Sequence, residues 1–252
     1  MMNVKKIIQA IKKNKTFLIS THVGPDPDAL CSEMALALYL KALGKKVIIV
    51  NEERSPERFH FLPGVKQMKA YSKSMKVSYD AAIVVDCGDF KRIGKVAGLI
   101  DQNKPLINID HHVTNNRFGH FNLVDVKSSS TAEVLFELIK ASGVALTKSM
   151  ALHLYAGIMT DTGSFRYENT TARTHRIVSE LRQFNFSAYE LYRDIYERIP
   201  LNDIKHFTKV ISSFERLFSG KVVRVVLKKN IVSRFSQEFD LRDTIFKFLR
   251  TI

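Results

Sequence analysis

Four stretches of this chain carry groups that could hold cations or move protons. They are Thr21-His22-Val23-Gly24-Pro25-Asp26-Pro27-Asp28, Val84-Val85-Asp86-Cys87-Gly88-Asp89, Ile107-Asn108-Ile109-Asp110-His111-His112 and Thr160-Asp161-Thr162-Gly163. Taken singly, each has an ordinary reading. His22 or His111 could be a hydrogen-bonded structural histidine, Asp86 a helix cap, and Asp161 a turn residue at a helix end. Taken together they offer four carboxylates, Asp26, Asp28, Asp86 and Asp161, and two imidazoles. Crowded carboxylates resist ionisation unless they are neutralised. Two divalent cations balance four negative charges, whereas one would leave about two uncompensated in a cleft, which is costly away from water. A mixture of carboxylate and imidazole suits Mn²⁺, with Mg²⁺, Co²⁺ or Zn²⁺ also compatible. Two such ions ~3.5–4 Å apart activate water and stabilise a leaving oxygen in phosphate-ester hydrolysis.

Parallel strands would bring these groups to one edge. The apolar runs Thr16–Ser20, Lys46–Val50, Asp80–Val85, Pro105–Ile109 and Phe121–Val124 read as strands, with apolar runs of this kind typical of a buried parallel sheet. Gly24, Pro25 and Pro27 mark 21–29 as a loop, followed by a helix over Ser32–Leu43 that Gly44 stops. Ser130-Thr131-Ala132-Glu133 reads as a capping box opening a helix that Gly143 closes, and Lys148–Thr160 as another helix. Val4–Ile11 has helical spacing as well. Strands alternating with helices predict an α/β class with a mostly parallel sheet and helices on both faces. In such sheets, ligands bind beyond the carboxyl ends of the strands, where the Asp and His residues fall.

The texture changes after about residue 186. Ala188–Arg198 and Leu201–Leu217 read as two charged helices, Lys221–Leu227 as a strand and Asp240–Leu249 as a helix. One strand and one helix cannot bury a core alone. The expected division is therefore a domain over 1–186, a helical connector over 187–219, and an incomplete C-terminal substrate-binding domain with the start of a second α/β unit over 220–252.

The 252 residues are 45% hydrophobic and 25% charged, ordinary globular values, and no apolar run approaches the span of a bilayer. Met1–Lys15 lacks the apolar core and cleavage site of a secretory signal. Two cysteines, Cys31 and Cys87, make no disulfide framework, so a reducing cytoplasm is expected. The net charge of +14 favours polyanionic partners, or else keeps a solvated surface soluble.

The four ordered motifs within residues 16–166 resemble the DHH phosphoesterase family. The intervening Pro56-Glu57-Arg58-Phe59, Phe61-Leu62-Pro63-Gly64, Ser129-Ser130-Thr131-Ala132-Glu133 and Thr170-Thr171-Ala172-Arg173-Thr174-His175 resemble its bacterial nano-RNase/pAp phosphatase branch. The resemblance implies hydrolysis of very short RNA or DNA oligonucleotides and of 3′-phosphoadenosine 5′-phosphate. It implies one metal held by His22, Asp26 and Asp86, and a second by Asp28, Asp86, His111 and Asp161, with Asp86 bridging. His112 would touch the phosphate or assist proton transfer, and Asp110 would orient a ligand. Pro27 stands where many relatives carry Gly, and no Gly-Gly-Gly-His stretch follows residue 220. Arg166 and Arg173 are candidates for phosphate contact because a guanidinium forks onto phosphate, though both also read as surface arginines. Two rival functions remain open: a manganese-dependent inorganic pyrophosphatase, and a catalytically weak nucleic-acid-binding or regulatory protein. A homo-oligomer is equally compatible with the sequence.

Overall fold

The computed structural model describes residues 2–198, 200–236 and 239–250. In chain order the first elements are α1 (Met2–Lys13), β1 (Thr16–Ser20), α2 (Pro27–Ala42), β2 (Lys46–Asn51), β3 (Lys69–Ala70), β4 (Ala81–Val85), β5 (Leu106–Asp110) and β6 (Phe121–Val124). Then follow α3 (Thr131–Ser142), α4 (Lys148–Asp161), α5 (Ala172–Leu181), α6 (Ala188–Tyr196), α7 (Leu201–Ile211), β7 (Glu215–Leu217), β8 (Val222–Arg224), α8 (Lys229–Val232) and α9 (Leu241–Leu249).

Strands β1 to β6 form one sheet in the order β3-β2-β1-β4-β5-β6, with every pairing parallel. The chain builds outward from β1 to β3, then returns to the other side of β1 and builds outward again. The topology therefore reverses between β1 and β4, and a crevice opens there at the carboxyl ends. Strands β4 and β5 are buried along their whole length, which is why β4 reads as an unbroken apolar run rather than an alternating one, while β5 also buries the polar Asn108 and Asp110.

Side chains alternate along each strand. Leu18, Ala82, Val84 and Leu106 pack with Ile93, Val96 and Ile100 on one face. The covering segment there is Phe90–Leu99, two 3-10 turns joined by a kink at Gly94, not an α-helix. Helices α2, α3 and α4 pack on one another, with α2 against β1, β2 and β4 and α3 against β5.

The chain divides into two compact units, Met1–Ser55 with Leu62–Ser187, and Pro56–Phe61 with Ala188–Ile252. The expected helix over Leu201–Leu217 ends at Ile211, and Glu215–Leu217 becomes β7, which pairs antiparallel with β8. The boundary expected at 219/220 thus falls inside a hairpin. The tail also buries more than the expected strand and helix. Val210 and Ile211 of α7 pack with Phe239, Leu241 and Ile245, flanked by Phe207, Phe235 and Phe248, as a small core within this unit. Buried Asp203 accepts hydrogen bonds from the Ser236 N–H and hydroxyl. No helix among the described residues is long and apolar enough to cross a membrane.

Candidate metal centre

The segment carrying Asp26 and Asp28 is a helix start, not a loop through Ala29. Asp26 is the N-cap of α2, accepting from the Ala29 N–H at 3.0 Å, and Pro27 occupies the first helical position. Proline's fixed φ suits that position and its missing N–H costs nothing there, so the same residue that reads as a loop signal begins the helix. Asp28 is thereby fixed in the first turn and is 1% exposed. The amino end of α3 meets it: the N–H groups of Thr131 and Ala132 donate to its two carboxylate oxygens at 2.8 and 3.1 Å. Helix N-termini stabilise anions in this way. Ser130 does cap α3. The side chain of Glu133 instead accepts from Ser129 and Thr174, so the expected reciprocal capping box is only half formed.

Gly157 explains why α4 can approach. A Cβ there would lie 2.5 Å from Asp28 Oδ1 and 2.7 Å from the Ala132 Cβ. In an open helix, Gly→Ala stabilises by about 1 kcal/mol. Here Gly157→Ala is expected to do the reverse. Melting should show a loss of roughly 1–3 kcal/mol, the usual cost of overpacking, and Mn²⁺ titration should show weaker binding. A rise in melting temperature with unchanged Mn²⁺ affinity would refute this.

Asp86 follows β4 with φ of +52°, a left-handed conformation that non-glycine residues seldom adopt. Such strain is concentrated at functional sites. The turn places its carboxylate among three imidazoles. His22 Nε2 lies 3.7 Å from Oδ2, and His111 Nε2 and His112 Nδ1 each lie 3.7 Å from Oδ1. His111 Nε2 is also 3.4 Å from Asp161 Oδ2, on the last residue of α4. Thr131 donates its hydroxyl to Asp86 Oδ1 at 2.8 Å. His22 Nδ1 sits 3.0 Å from the Val23 carbonyl, which can only accept, so Nδ1 carries a proton and Nε2, turned toward Asp86, is the atom left to bind a cation. A separation of 3.7 Å is too long for a hydrogen bond and suits a cation bound to both groups.

Among the described residues, ligand atoms within 4.8 Å of one another form three groups: His22, Asp26 and Asp86; Asp28, His111 and Asp161; and Asp86, Asp110, His111 and His112. In the last group, Asp110 already accepts from the His111 N–H at 2.8 Å, His112 Nδ1 at 2.7 Å and Asn115 Nδ2 at 2.6 Å. The Asp110 contact puts the His112 proton on Nδ1 and leaves Nε2 facing outward. Asn115 and Thr131 were not singled out as site residues from the sequence. Thr131 could have been, since a helix opening in Ser-Thr is an anion site as well as a cap.

The electrostatics fit divalent cations. Burial and the neighbouring Asp86 push Asp161 up to about 8, and burial with Asp86 and Asp161 raises Asp28 well above the usual range. Burial opposes the charge on Asp86 as well, but His22, His111 and His112 hold it below the ordinary carboxylate value. The hydrogen bond to Asp110 raises His112 to about 9. Without a cation, the folded protein holds the Asp161 proton up to about pH 8 while the unfolded chain loses it near pH 4, and Asp28, also raised, acts in the same direction. Stability therefore falls as pH rises from about 4 to about 8, and His22 and His112, whose values are raised, act in the same direction near the top of that window. With metals chelated, the melting temperature is expected to be several degrees lower at pH 8 than at pH 5.5, and adding Mn²⁺ at pH 8 should restore it. A metal-free protein equally stable at both pH values would contradict this account.

The two arginines differ. Arg166 is exposed, its Nε donating to the Gly163 carbonyl at 2.8 Å. The Arg173 guanidinium faces three carboxylates, Asp125 at 2.9 Å, Glu133 at 3.2 Å and Glu137 at 3.3 Å. Those ion pairs tie α5 to α3 and occupy the groups that a phosphate would need.

A parallel sheet that reverses at β1/β4, with carboxylates and imidazoles gathered at that reversal, is the frame of an α/β metal-dependent hydrolase. Residues 16–158 match the DHH family, N-terminal domain. The chain is 34% identical over 228 residues to the bifunctional oligoribonuclease and PAP phosphatase NrnA of Thermus thermophilus, covering 90% of this chain and 67% of that protein. It is 30% identical over 242 residues to the Bacillus subtilis protein of the same name, covering 91% and 72%. A crystal structure of an exopolyphosphatase-related protein from Bacteroides fragilis shares the fold, with a TM-score of 0.87, 23% identity and coverage of 96% of this chain and 75% of that one. The chain belongs to the DHH family and is a phosphoesterase.

Proposed function

We propose that this protein hydrolyses short oligonucleotides and 3′-phosphoadenosine 5′-phosphate, using two divalent cations. The observation that carries the reading is Asp86, set in a left-handed turn with three imidazoles within 3.7 Å of its carboxylate. The names of the relatives support the substrate class. His22, Asp26 and Asp86 would hold one cation, and Asp28, Asp86, His111 and Asp161 the other. Mn²⁺ is the ion best suited to this donor set. Such a pair supplies an activated water and neutralises charge on the phosphate oxygens.

The chain's own residues do the rest. The amino end of α3 fixes Asp28, and Thr131 fixes Asp86, so the donors are set before a cation arrives. Asp110, steadied by Asn115, orients His112 so that Nε2 can donate a proton to the departing oxygen or hold a phosphate oxygen. Arg166 is the candidate for phosphate contact, whereas Arg173, committed to its three carboxylates, is structural. The second unit is a candidate for substrate positioning. Buried free thiols at Cys31 and Cys87 suit the cytoplasm as the working compartment.

The test is turnover with Mn²⁺ on a ribodinucleotide, on 3′-phosphoadenosine 5′-phosphate and on inorganic pyrophosphate. Hydrolysis of the first two, with little on the third, is expected. Rapid turnover of pyrophosphate alone would establish the rival reading, and metal binding with no hydrolysis of any substrate would leave a binding protein.

A further inference from the structure

The sheet ladder between β1 and β4 ends at Ser20 and Val84, short of the two metal-facing residues His22 and Asp86. Beyond it, the hydroxyl of Thr21 donates to the Val85 carbonyl at 2.8 Å, joining the residue before His22 to the residue before Asp86. Thr21 is held in turn. Its N–H donates to Asn51 Oδ1 at 3.3 Å, and the Ser20 hydroxyl reaches the same oxygen at 3.4 Å. Asn51 Nδ2 donates to Glu33 Oε2 at 2.8 Å. An amide has one accepting and one donating end, and the Thr21 N–H can only donate, so the Asn51 oxygen faces Thr21 and its nitrogen faces Glu33. Ser20, Thr21, Glu33 and Asn51 are each no more than 2% exposed. None is among the proposed metal ligands, and sequence reading singled out none of them.

We propose that Thr21, clasped by Asn51 and Glu33, is a positioning residue that sets the gap between His22 and Asp86, and with it the affinity of the metal subsite those two share. This rests on the two-metal reading above. The effect should be confined to that subsite. Asp86 is anchored separately, by the Thr131 hydroxyl and by its own N–H to the Ile109 carbonyl at 3.0 Å. Loosening the clasp therefore loosens His22, which keeps only the Val23 N–H bond to the Arg92 carbonyl at 2.7 Å on its far side, rather than Asp86, and the group of Asp28, His111 and Asp161 keeps its own anchors on α3 and α4.

The experiment is Mn²⁺ titration by calorimetry of the wild-type chain, Thr21→Val, Thr21→Ser and Asn51→Ala, with melting curves to confirm folding. Valine keeps the shape of threonine and removes the hydroxyl, whereas serine keeps the hydroxyl. The wild-type chain is expected to bind two Mn²⁺. Thr21→Val should bind one of them about 10–100-fold more weakly, the usual effect of losing an outer-shell partner, with the other unchanged. Thr21→Ser should restore most of the loss. Asn51→Ala loosens the same clasp from its other end and should show the same one-sided loss, so it decides the matter if Thr21→Val does not fold. Two full-affinity sites in Thr21→Val, equal weakening of both, or failure of serine to restore binding would each overturn the clasp while leaving the two-metal reading intact. A wild-type chain that binds no Mn²⁺ would overturn that reading and the clasp with it.

Discussion

Asp86→Asn is expected to reduce phosphoester hydrolysis by ~10³-fold or more while the protein remains folded, at or beyond the scale of removing one preorganised electrostatic group from a site. Asparagine matches aspartate in size and is among the few residues that tolerate the left-handed backbone held at position 86, so the fold should survive. What disappears is the charge. Asp86 belongs to two of the three ligand groups and lies 3.7 Å from His111, a member of the third, so its neutralisation reaches the whole centre. Its carboxylate also faces His22 and His112, whose raised values depend partly on it. Circular dichroism and thermal melting would check the fold, and metal-dependent turnover the activity. Near-wild-type turnover in a folded Asp86→Asn protein would remove the two-metal centre from this account. Asp86→Ala is the poorer test, because alanine resists the backbone angle and confuses strain with lost charge.

The adjacent histidines should separate cleanly. His112→Ala is expected to lower turnover by ~10²–10⁴-fold, the range for a lost general acid or base, with metal content nearly unchanged. The reason is geometric: Nδ1 of His112 is committed to Asp110 at 2.7 Å, so the ring is a member of a proton-handling pair. His111→Ala should instead lower metal occupancy, since its Nε2 lies between Asp86 and Asp161 at 3.7 and 3.4 Å. Elemental analysis of both variants alongside kinetics decides the assignment. Metal loss at position 112 with retention at 111 would reverse it. Asn115→Ala, which strips one partner from Asp110, should resemble a mild His112 variant rather than a ligand loss.

The sequence by itself determined a mostly parallel α/β sheet and the order in which its Asp and His motifs appear, while strand β3 and the strand order came only with the structure. Strand period and apolar runs are local signals, so β1, β4, β5 and β6 were readable to within a residue at each end. The His and Asp residues that follow those strands come to one edge because parallel strands share an orientation. Other features were settled only by the tertiary structure. Pro27 was ambiguous in one dimension: the same fixed φ serves a loop or a first helical turn, and only the packing of α2 selects the helix. Asp28 and the amides that hold it are 103 and 104 residues apart, a distance over which no periodicity speaks. Gly157 lies within the helix read over Lys148–Thr160, and only the approach of Asp28 and Ala132 shows why no side chain fits there. Arg173 was one of two candidates for phosphate contact, since a guanidinium donates to any oxyanion, and only the fold brings three carboxylates to it first. Periodicity and composition specify elements and the order in which chemistry appears along them. Which donor meets which acceptor depends on contacts between distant segments, and those exist only once the chain has closed on itself.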